Sequence, residues 1–151
     1  MEKIRIQRDE LYTIEISDDG KVITLDPLDT DFPMRIDKAF REIEKNNDLL
    51  QQRFVVIDKQ EDKMRHGIYS QNDYEKLEAY HNYNVKNREI FDSLFGEGTC
   101  QALFGESNYI GMYNDLIDAL QPHIEKVYGN VSDIREYIKR KYSKKSDDVL
   151  R

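Results

Sequence analysis

Glycines crowd together in IFDSLFGEGTCQALFGES at residues 90–107, a composition that can form a phosphate-binding loop. A Walker-type loop needs two glycines separated by four residues, then Lys and Ser or Thr, and it follows a strand. The GEGT stretch at 96–99 instead follows a predicted helix, contains no lysine and places a carboxylate where the anion would lie. A dinucleotide-binding fingerprint would need a third glycine at the position of Gln101. We therefore expect no phosphate or cofactor site in this segment.

The same segment is better explained as a structural corner between helices. We expect Gly96 to end one helix in the left-handed conformation, Thr99 to cap a short helical turn and Gly105 to end that turn. The corner would then fold back on its own apolar side chains, which are Phe91, Leu94, Phe95, Leu103 and Phe104.

A carboxylate and an imidazole three residues apart on a helix form half of a diiron ligand set, and Glu78 and His81 have this spacing. The other half is missing, because Asp62 and His66 are four residues apart and lie in a polar connection. Two further inward carboxylates would also be needed. We predict no metal site and place these histidines at the surface or at a helix boundary.

The other reactive side chains fit structural roles. Asp26, Asp29 and Asp31 lack the glycine and glutamate spacing of a calcium loop, so we assign them to turns and helix caps. His123 has no neighbouring ligand, and no serine lies in a nucleophile elbow. Cys100 is the single cysteine, which excludes an intramolecular disulfide, and we expect it to be buried. We predict no catalytic residue and no enzyme activity.

The composition is that of a charged protein. Thirty acidic residues against 23 basic ones give a net charge of −7, which repels nucleic acid. The one basic cluster, IKRKYSKK at 138–145, is better explained as cations at a helix C-terminus. No apolar run approaches the roughly 18 residues of a membrane span, and the N-terminus lacks a signal peptide's apolar block. We expect a cytoplasmic protein that binds neither nucleic acid nor membranes.

The chain should begin with a β-hairpin and continue into a long helix. LYTIEI at 11–16 and the run ending at Leu25 flank an Asp19-Gly20 turn signal, and KIRIQ at 3–7 is a candidate third strand. Asp31 is the expected N-cap of the helix, with Pro33 in its first turn.

Apolar residues of this helix repeat every three or four positions over three heptads, from Ile36 to Ile57. Asn47 is the polar member of the repeat; we favour its exposure to solvent over pairing with a symmetry mate in an oligomer. The run FVVI at 54–57 has strand propensity, but the repeat before it favours helix. We name this repeat the heptad seam and predict that it binds a partner and supports self-association. Its candidate partner-binding residues are Ile36, Phe40, Ile43, Asn47, Leu50 and Phe54.

A second helix should follow the polar connection at 58–70. Either Ser70 or a capping box of Asn72 and Glu75 would begin it, and Gly96 would end it. The apolar face of this helix is predicted to contain Tyr74, Leu77, His81, Val85, Arg88, Phe91 and Phe95.

A further helix should start near Asn108, contain Pro122 and end at Gly129, and a last one should start at Asn130. The predicted fold class is α+β, mainly α, with the hairpin packed on about four helices. One domain should span 1–151, with a hairpin segment at 1–30, a helical segment at 31–142 and a flexible tail at 143–151. The apolar face of the further helix is predicted to contain Tyr109, Tyr113, Leu116, Leu120, Ile124 and Val127.

The order of these features resembles a family of small tail-region proteins from phages and prophages of Gram-positive bacteria, regarded as tail assembly chaperone-like. The resemblance covers most of the chain. It rests on the N-terminal hairpin, on LDPLDTDFPMRIDKAF leading into the long helix, and above all on IFDSLFGEGTCQALFGES followed by an amphipathic helix.

This resemblance implies a non-virion chaperone in the cytoplasm of the bacterial host. Its partner would be the helical, aggregation-prone tape-measure protein, with tail tube subunits as a second partner. The family has no catalytic residues to carry over, and it implies no cofactor. The alternative is a structural virion subunit, such as a tail completion or connector protein.

Overall fold

The computed structural model describes residues 1–8 and 11–129. The described residues are mainly helical, with 59% of them in helices, and they include a small antiparallel hairpin, as predicted. None of the described helices has the length and hydropathy that a membrane crossing requires. The predicted helix from Asn130 and the tail at 143–151 lie outside the described residues. The elements are β1 (Tyr12–Glu15), β2 (Val22–Leu25), α1 (Phe32–Asp58), α2 (Gln71–Phe95), α3 (Thr99–Phe104) and α4 (Met112–Tyr128).

These elements belong to two compact units, which are described separately. The first unit contains residues 1–34 and the described chain from Tyr109 onward, and the second contains residues 35–108. Helix α1 begins in the first unit and continues into the second. The single domain expected from the chain length stays a prediction.

The hairpin of the first unit forms as the sequence predicts. Strands β1 and β2 pair antiparallel, with Tyr12 opposite Leu25. Gly20 has a φ of 91° in the connecting turn, a region that favours glycine because a Cβ would be strained there. Alternation along β2 buries Ile23 and Leu25 completely, so one face of the hairpin belongs to a core.

The third strand predicted at 3–7 is wrong, since residues 1–8 contain no strand. Ile4 and Ile6 are 93% and 83% exposed, so no packed surface covers the side chains that would stabilise a strand there. Their alternation in the sequence was therefore not sufficient evidence of a strand.

Helix α4 contributes four buried side chains to the first unit. It begins later than predicted, because Gly111 takes the left-handed conformation at its N-cap (φ 89°, ψ −3°). Pro122 lies within the helix, and Gly129 ends it with a φ of 69°, as predicted. The buried side chains of α4 are Met112, Tyr113, Leu116 and Leu120.

Two hydrogen bonds join α4 to the hairpin region. The hydroxyl of Tyr12 lies 2.8 Å from Nδ1 of His123, and the hydroxyl of Tyr128 donates to the carbonyl of Asp26 at 2.8 Å. The ring of Tyr128 also packs on Phe32, with centroids 5.7 Å apart. Segments about 100 residues apart in the sequence thus meet in the first unit.

The cap of α1 differs from the prediction. Oδ1 of Asp29, rather than Asp31, accepts from the amide of Asp31 at 3.0 Å and from the amide of Phe32 at 3.2 Å. One carboxylate therefore satisfies two donors at the helix start. Pro33 lies in the first turn, as predicted, and the run at 54–57 is helical rather than a strand.

The second unit is built on an antiparallel pair of helices, α1 and α2. Phe40 packs on Phe91 with ring centroids 6.5 Å apart, and Phe54 packs on Tyr80 at 5.0 Å. Between these contacts, Nδ2 of Asn46 donates to Oδ1 of Asn87 at 2.8 Å. The three contacts fix the register of the two helices.

Helix α2 begins with the first of the two predicted caps. The hydroxyl of Ser70 accepts from the amide of Asp73 at 3.2 Å. Asn72 is instead buried in the first turn, where its side chain donates to the carbonyl of Gln60 and its amide donates to Asp62. That amide holds the pKa of Asp62 below its ordinary value.

Helix α2 ends at Gly96, as predicted, but the conformation differs from the prediction. Gly96 has a φ of 117° and a ψ of 146°, which lies outside the left-handed helical region. The chain must turn at once into α3, and Gly98 takes the left-handed conformation instead (φ 86°, ψ 0°). Both positions favour glycine because their φ is positive.

Replacing Gly96 with Val should lower the free energy of unfolding by about 1 kcal/mol or more. The nearest atom to an added Cβ is Oγ1 of Thr99 at 4.0 Å, so the cost comes from the backbone rather than from a clash. Urea denaturation measures the change. Gln101→Val is the control, since it adds a branched side chain to the same corner at an exposed helical position. Equal, small effects of the two substitutions would contradict the strained role of Gly96.

Candidate functional site

The glycine-rich corner satisfies its own polar groups. Oδ1 of Asp92 accepts from the amide of Cys100 at 2.9 Å, at the start of α3. Thr99 was predicted to cap this turn, but it is the first residue of α3, and its hydroxyl donates to the carbonyl of Gly96 at 2.7 Å. Asp92 therefore supplies the cap from α2, because the tight turn brings its carboxylate over the amides of α3.

Cys100 is buried at 1% exposure, as predicted. Burial, together with the nearby carboxylate of Asp92, raises the pKa of the Cys100 thiol to about 12. The thiol is therefore protonated at neutral pH and is a poor nucleophile.

Arg88 closes the other side of the corner. Its Nε donates to Oδ1 of Asn108 at 2.8 Å, its Nη2 donates to the carbonyl of Ser107 at 2.8 Å, and its guanidinium lies 5.9 Å from the ring centroid of Phe104. These contacts hold the segment after α3 against α2. The guanidinium beside the corner is thus engaged in hydrogen bonds within the protein.

The residues considered for metal binding lie in separate places. Glu78 and His81 are exposed on α2, and Asp62 accepts a hydrogen bond from the amide of Asn72 in the connection before α2. Among residues 1–8 and 11–129, no group of three His, Cys, Asp or Glu residues has an arrangement that could hold a metal ion. His123 lies within α4 beside Tyr12.

Most side chains of the heptad seam pack against other residues of the same chain. Ile36, Ile43 and Leu50 are buried at 7%, 4% and 6% exposure, and Phe40 and Phe54 are half-buried against rings of α2. Asn47 is exposed, which is the alternative that the sequence favoured. That these residues bind a partner stays a prediction, and the three buried ones are reached only if the helices separate.

The first half of the predicted apolar face of α2 is exposed to solvent, so that part of the prediction is wrong. Tyr74, Leu77 and Val85 are 39%, 44% and 46% exposed, and His81 between them is exposed too. At 100° per residue, these four side chains lie within an arc of about 80°. We call them the outer stripe of α2. The side of α2 that faces α1 carries the rings of Tyr80 and Phe91 together with the buried amide of Asn87.

A groove runs along one face of α1 and α2. Two adjoining depressions form it, and they share Asn46, Leu49 and Lys86. Leu49 is 45% exposed within it, although it lies on a helix that buries most of its other leucine and isoleucine side chains. We call this surface the α1/α2 groove. No motif in the sequence indicated it, because its residues come from two helices. Its apolar floor consists of Ala39, Leu49, Leu50, Ala79, Ile90 and Leu94.

Residues 19–147 match the model of a family of unknown function, DUF6673. The chain belongs to the DUF6673 family. The match starts in the hairpin turn and includes all four described helices. No curated protein and no solved structure matches the chain.

Membership of DUF6673 brings no activity with it, so any function must be argued from surfaces of this protein. The outer stripe and the α1/α2 groove are the two candidates within the matched region. Both are partly apolar and open to solvent, whereas the corner and the seam are occupied by contacts within the chain.

Replacing Asp92 with Ala should lower the free energy of unfolding by about 1–3 kcal/mol, since the buried amide of Cys100 loses its acceptor. Urea denaturation measures the loss. The neighbouring exposed residue provides the control, and Ser93→Ala should change stability by less than about 0.5 kcal/mol. If Asp92→Ala costs no more than Ser93→Ala, the carboxylate is not the cap of α3.

Replacing Asn47 with Leu should leave the oligomeric state unchanged and alter the free energy of unfolding by less than about 0.5 kcal/mol, because the side chain is exposed. Light scattering after size exclusion and urea denaturation test this, with Gln51→Leu as the exposed control on α1. A larger oligomer with Asn47→Leu alone would show that the heptad seam is an interface between copies.

Proposed function

We propose that this protein is a phage tail assembly chaperone that binds the tape-measure protein in the cytoplasm of the bacterial host until the tail polymerises. It acts by binding and carries out no reaction. The identity of the partner rests on the resemblance of the hairpin, the helix start and the glycine-rich corner to tail-region proteins. The surface that would bind it rests on the outer stripe of α2.

The outer stripe carries this proposal because it exposes large apolar side chains in a row. Tyr74, Leu77 and Val85 follow one another along about 16 Å of helix, with His81 between the last two. An amphipathic helix of a partner presents its own apolar residues at the same three- and four-residue spacing. Two such rows bury each other side by side, which removes apolar surface of both proteins from water.

The charge of the chain suits a temporary partner. A net charge of −7 counters aggregation of the complex, and a stripe of a few side chains leaves the affinity modest. A chaperone must release the tape-measure protein when tail tube subunits polymerise around it. A narrow apolar contact allows that exchange more easily than a large interface would.

Co-expression with a tape-measure protein encoded in the same genome tests the proposal. The wild-type protein should raise the soluble fraction of the tape-measure protein and co-elute with it. Leu77→Lys with Val85→Lys should weaken the complex at least about tenfold, since two anchors of the stripe become charged. Gln51→Lys with Gln52→Lys adds the same charge at exposed positions of α1 and should leave binding unchanged.

Two results would oppose this function. An unchanged soluble fraction without a complex would remove the tape-measure protein as the partner. Abundant peptides of this chain in purified virions would instead favour the structural subunit, a tail completion or connector protein, because a chaperone of this kind leaves the particle.

A further inference from the structure

The α1/α2 groove has walls of opposite charge. Along its α1 wall, four of the five charged side chains are basic. Along its α2 wall, three of the four charged side chains are acidic. The exceptions are Glu42 on α1 and Lys86 on α2. The basic residues are Arg35, Lys38, Lys45 and Arg53, and the acidic residues are Glu75, Glu78 and Glu89.

Contacts between the two helices determine the position of each charged side chain along the groove. Asn46 lies opposite Asn87, so Lys45 and Glu89 lie at nearly the same height along the groove. Phe54 lies opposite Tyr80, so Arg53 and Glu78 also lie at nearly the same height. The groove therefore has a basic and an acidic edge in register, with an apolar floor between them.

We propose that the α1/α2 groove binds a second copy of this chain, related by a two-fold axis parallel to the helices. This operation lays α1 of each copy on α2 of the other, so that each basic wall meets an acidic wall at the same height. An isologous interface requires a self-complementary surface, and opposite walls of one groove meet that requirement. The four helices then bury Leu49 of both copies.

The alternative two-fold arrangement is excluded by the same charges. An axis perpendicular to the helices would lay α1 on α1 and α2 on α2. Lys45 and Arg53 would then lie near basic walls, and Glu78 and Glu89 near acidic ones. Like charges in an interface oppose association, so charge selects the arrangement of α1 on α2.

The size of the surface sets the strength of the dimer. The groove extends along α1 from Arg35 to Arg53, which is about 27 Å at about 1.5 Å per residue. Two helices side by side are about 20 Å wide, so each copy contributes about 540 Å² in projection. The two copies together would bury about 1,100 Å², which lies near the lower limit of roughly 1,000 Å² in total for specific interfaces. The dimer should accordingly dissociate in the micromolar range.

Sedimentation velocity of the full chain over a range of concentrations tests the proposal. The wild-type protein should form a dimer, and salt should weaken it. Lys45→Glu with Arg53→Glu should raise the dimer Kd at least about tenfold, because acidic walls then face each other. Lys59→Glu with Lys63→Glu makes the same charge change at exposed positions outside the groove and should leave the Kd unchanged.

Reversal of the other wall provides the decisive comparison. Glu78→Lys with Glu89→Lys should also raise the Kd at least about tenfold, because basic walls then meet. Combining all four substitutions should restore the Kd to within about threefold of the wild type, since the walls are again opposite in sign. Circular dichroism melting confirms that each variant is folded.

Three outcomes overturn the proposal: a wild-type monomer at all concentrations, a dimer that neither reversal weakens, and a fourfold variant that stays monomeric while folded. The first outcome includes a monomer that binds another protein through the groove, because the occupant would then be a different chain. The inference does not rest on the proposed function. Leu77→Lys with Val85→Lys should keep the dimer, so failure of one proposal leaves the other intact.

Discussion

Packing of α1 on α2 around Asn87 is the constraint on which the second unit depends. Asn87 is completely buried, and its side-chain oxygen accepts from Asn46 at 2.8 Å. A buried side-chain amide that loses its hydrogen-bond partner destabilises the fold, so sliding one helix along the other would be unfavourable. The aromatic contacts of Phe40 and Phe54 on either side tolerate small shifts better than this hydrogen bond does. Polar specificity therefore sets the register, while apolar burial supplies the stability.

That register determines what the surfaces offer. With Asn87 turned towards α1, the row of Tyr74, Leu77 and Val85 is left on the solvent side of α2. The same packing brings the basic wall of α1 beside the acidic wall of α2 and leaves Leu49 partly exposed between them. Both candidate interaction surfaces thus follow from one choice of helix face. The seam residues of α1 stabilise the pair itself.

The glycine-rich corner illustrates why a suggestive motif can be structural. Its glycines are needed because positive φ values occur at Gly96 and Gly98, where the chain reverses between α2 and α3. The amide of Cys100 donates its hydrogen bond to the carboxylate of Asp92 and is therefore not available to an external anion. Arg88 is likewise held by Asn108 and Ser107. The polar groups of the corner therefore stabilise its own fold through these hydrogen bonds.

Local rules in the sequence determined the existence and most ends of the elements. The Asp19-Gly20 pair predicted the hairpin turn, and the heptad spacing predicted that α1 continues through residues 54–57. Ser70, Gly96 and Gly129 predicted where helices begin or end. These features are decided within a few neighbouring residues, so the sequence contains them. The helix predicted from Asn130 lies outside the described residues.

Tertiary structure alone decided which carboxylates cap helices and which side of α2 is inside. Asp92 caps α3 only because the corner folds back. The buried residues of α2 are Asn72, Asn87 and Phe91, whereas Tyr74, Leu77 and Val85 of its apolar row are exposed. Hydrophobic spacing predicts an inward face from apolar content, whereas here the inward face combines Phe91 with a hydrogen bond between Asn46 and Asn87. Such a bond depends on the register of two segments about forty residues apart. No pattern within either helix specifies that pairing.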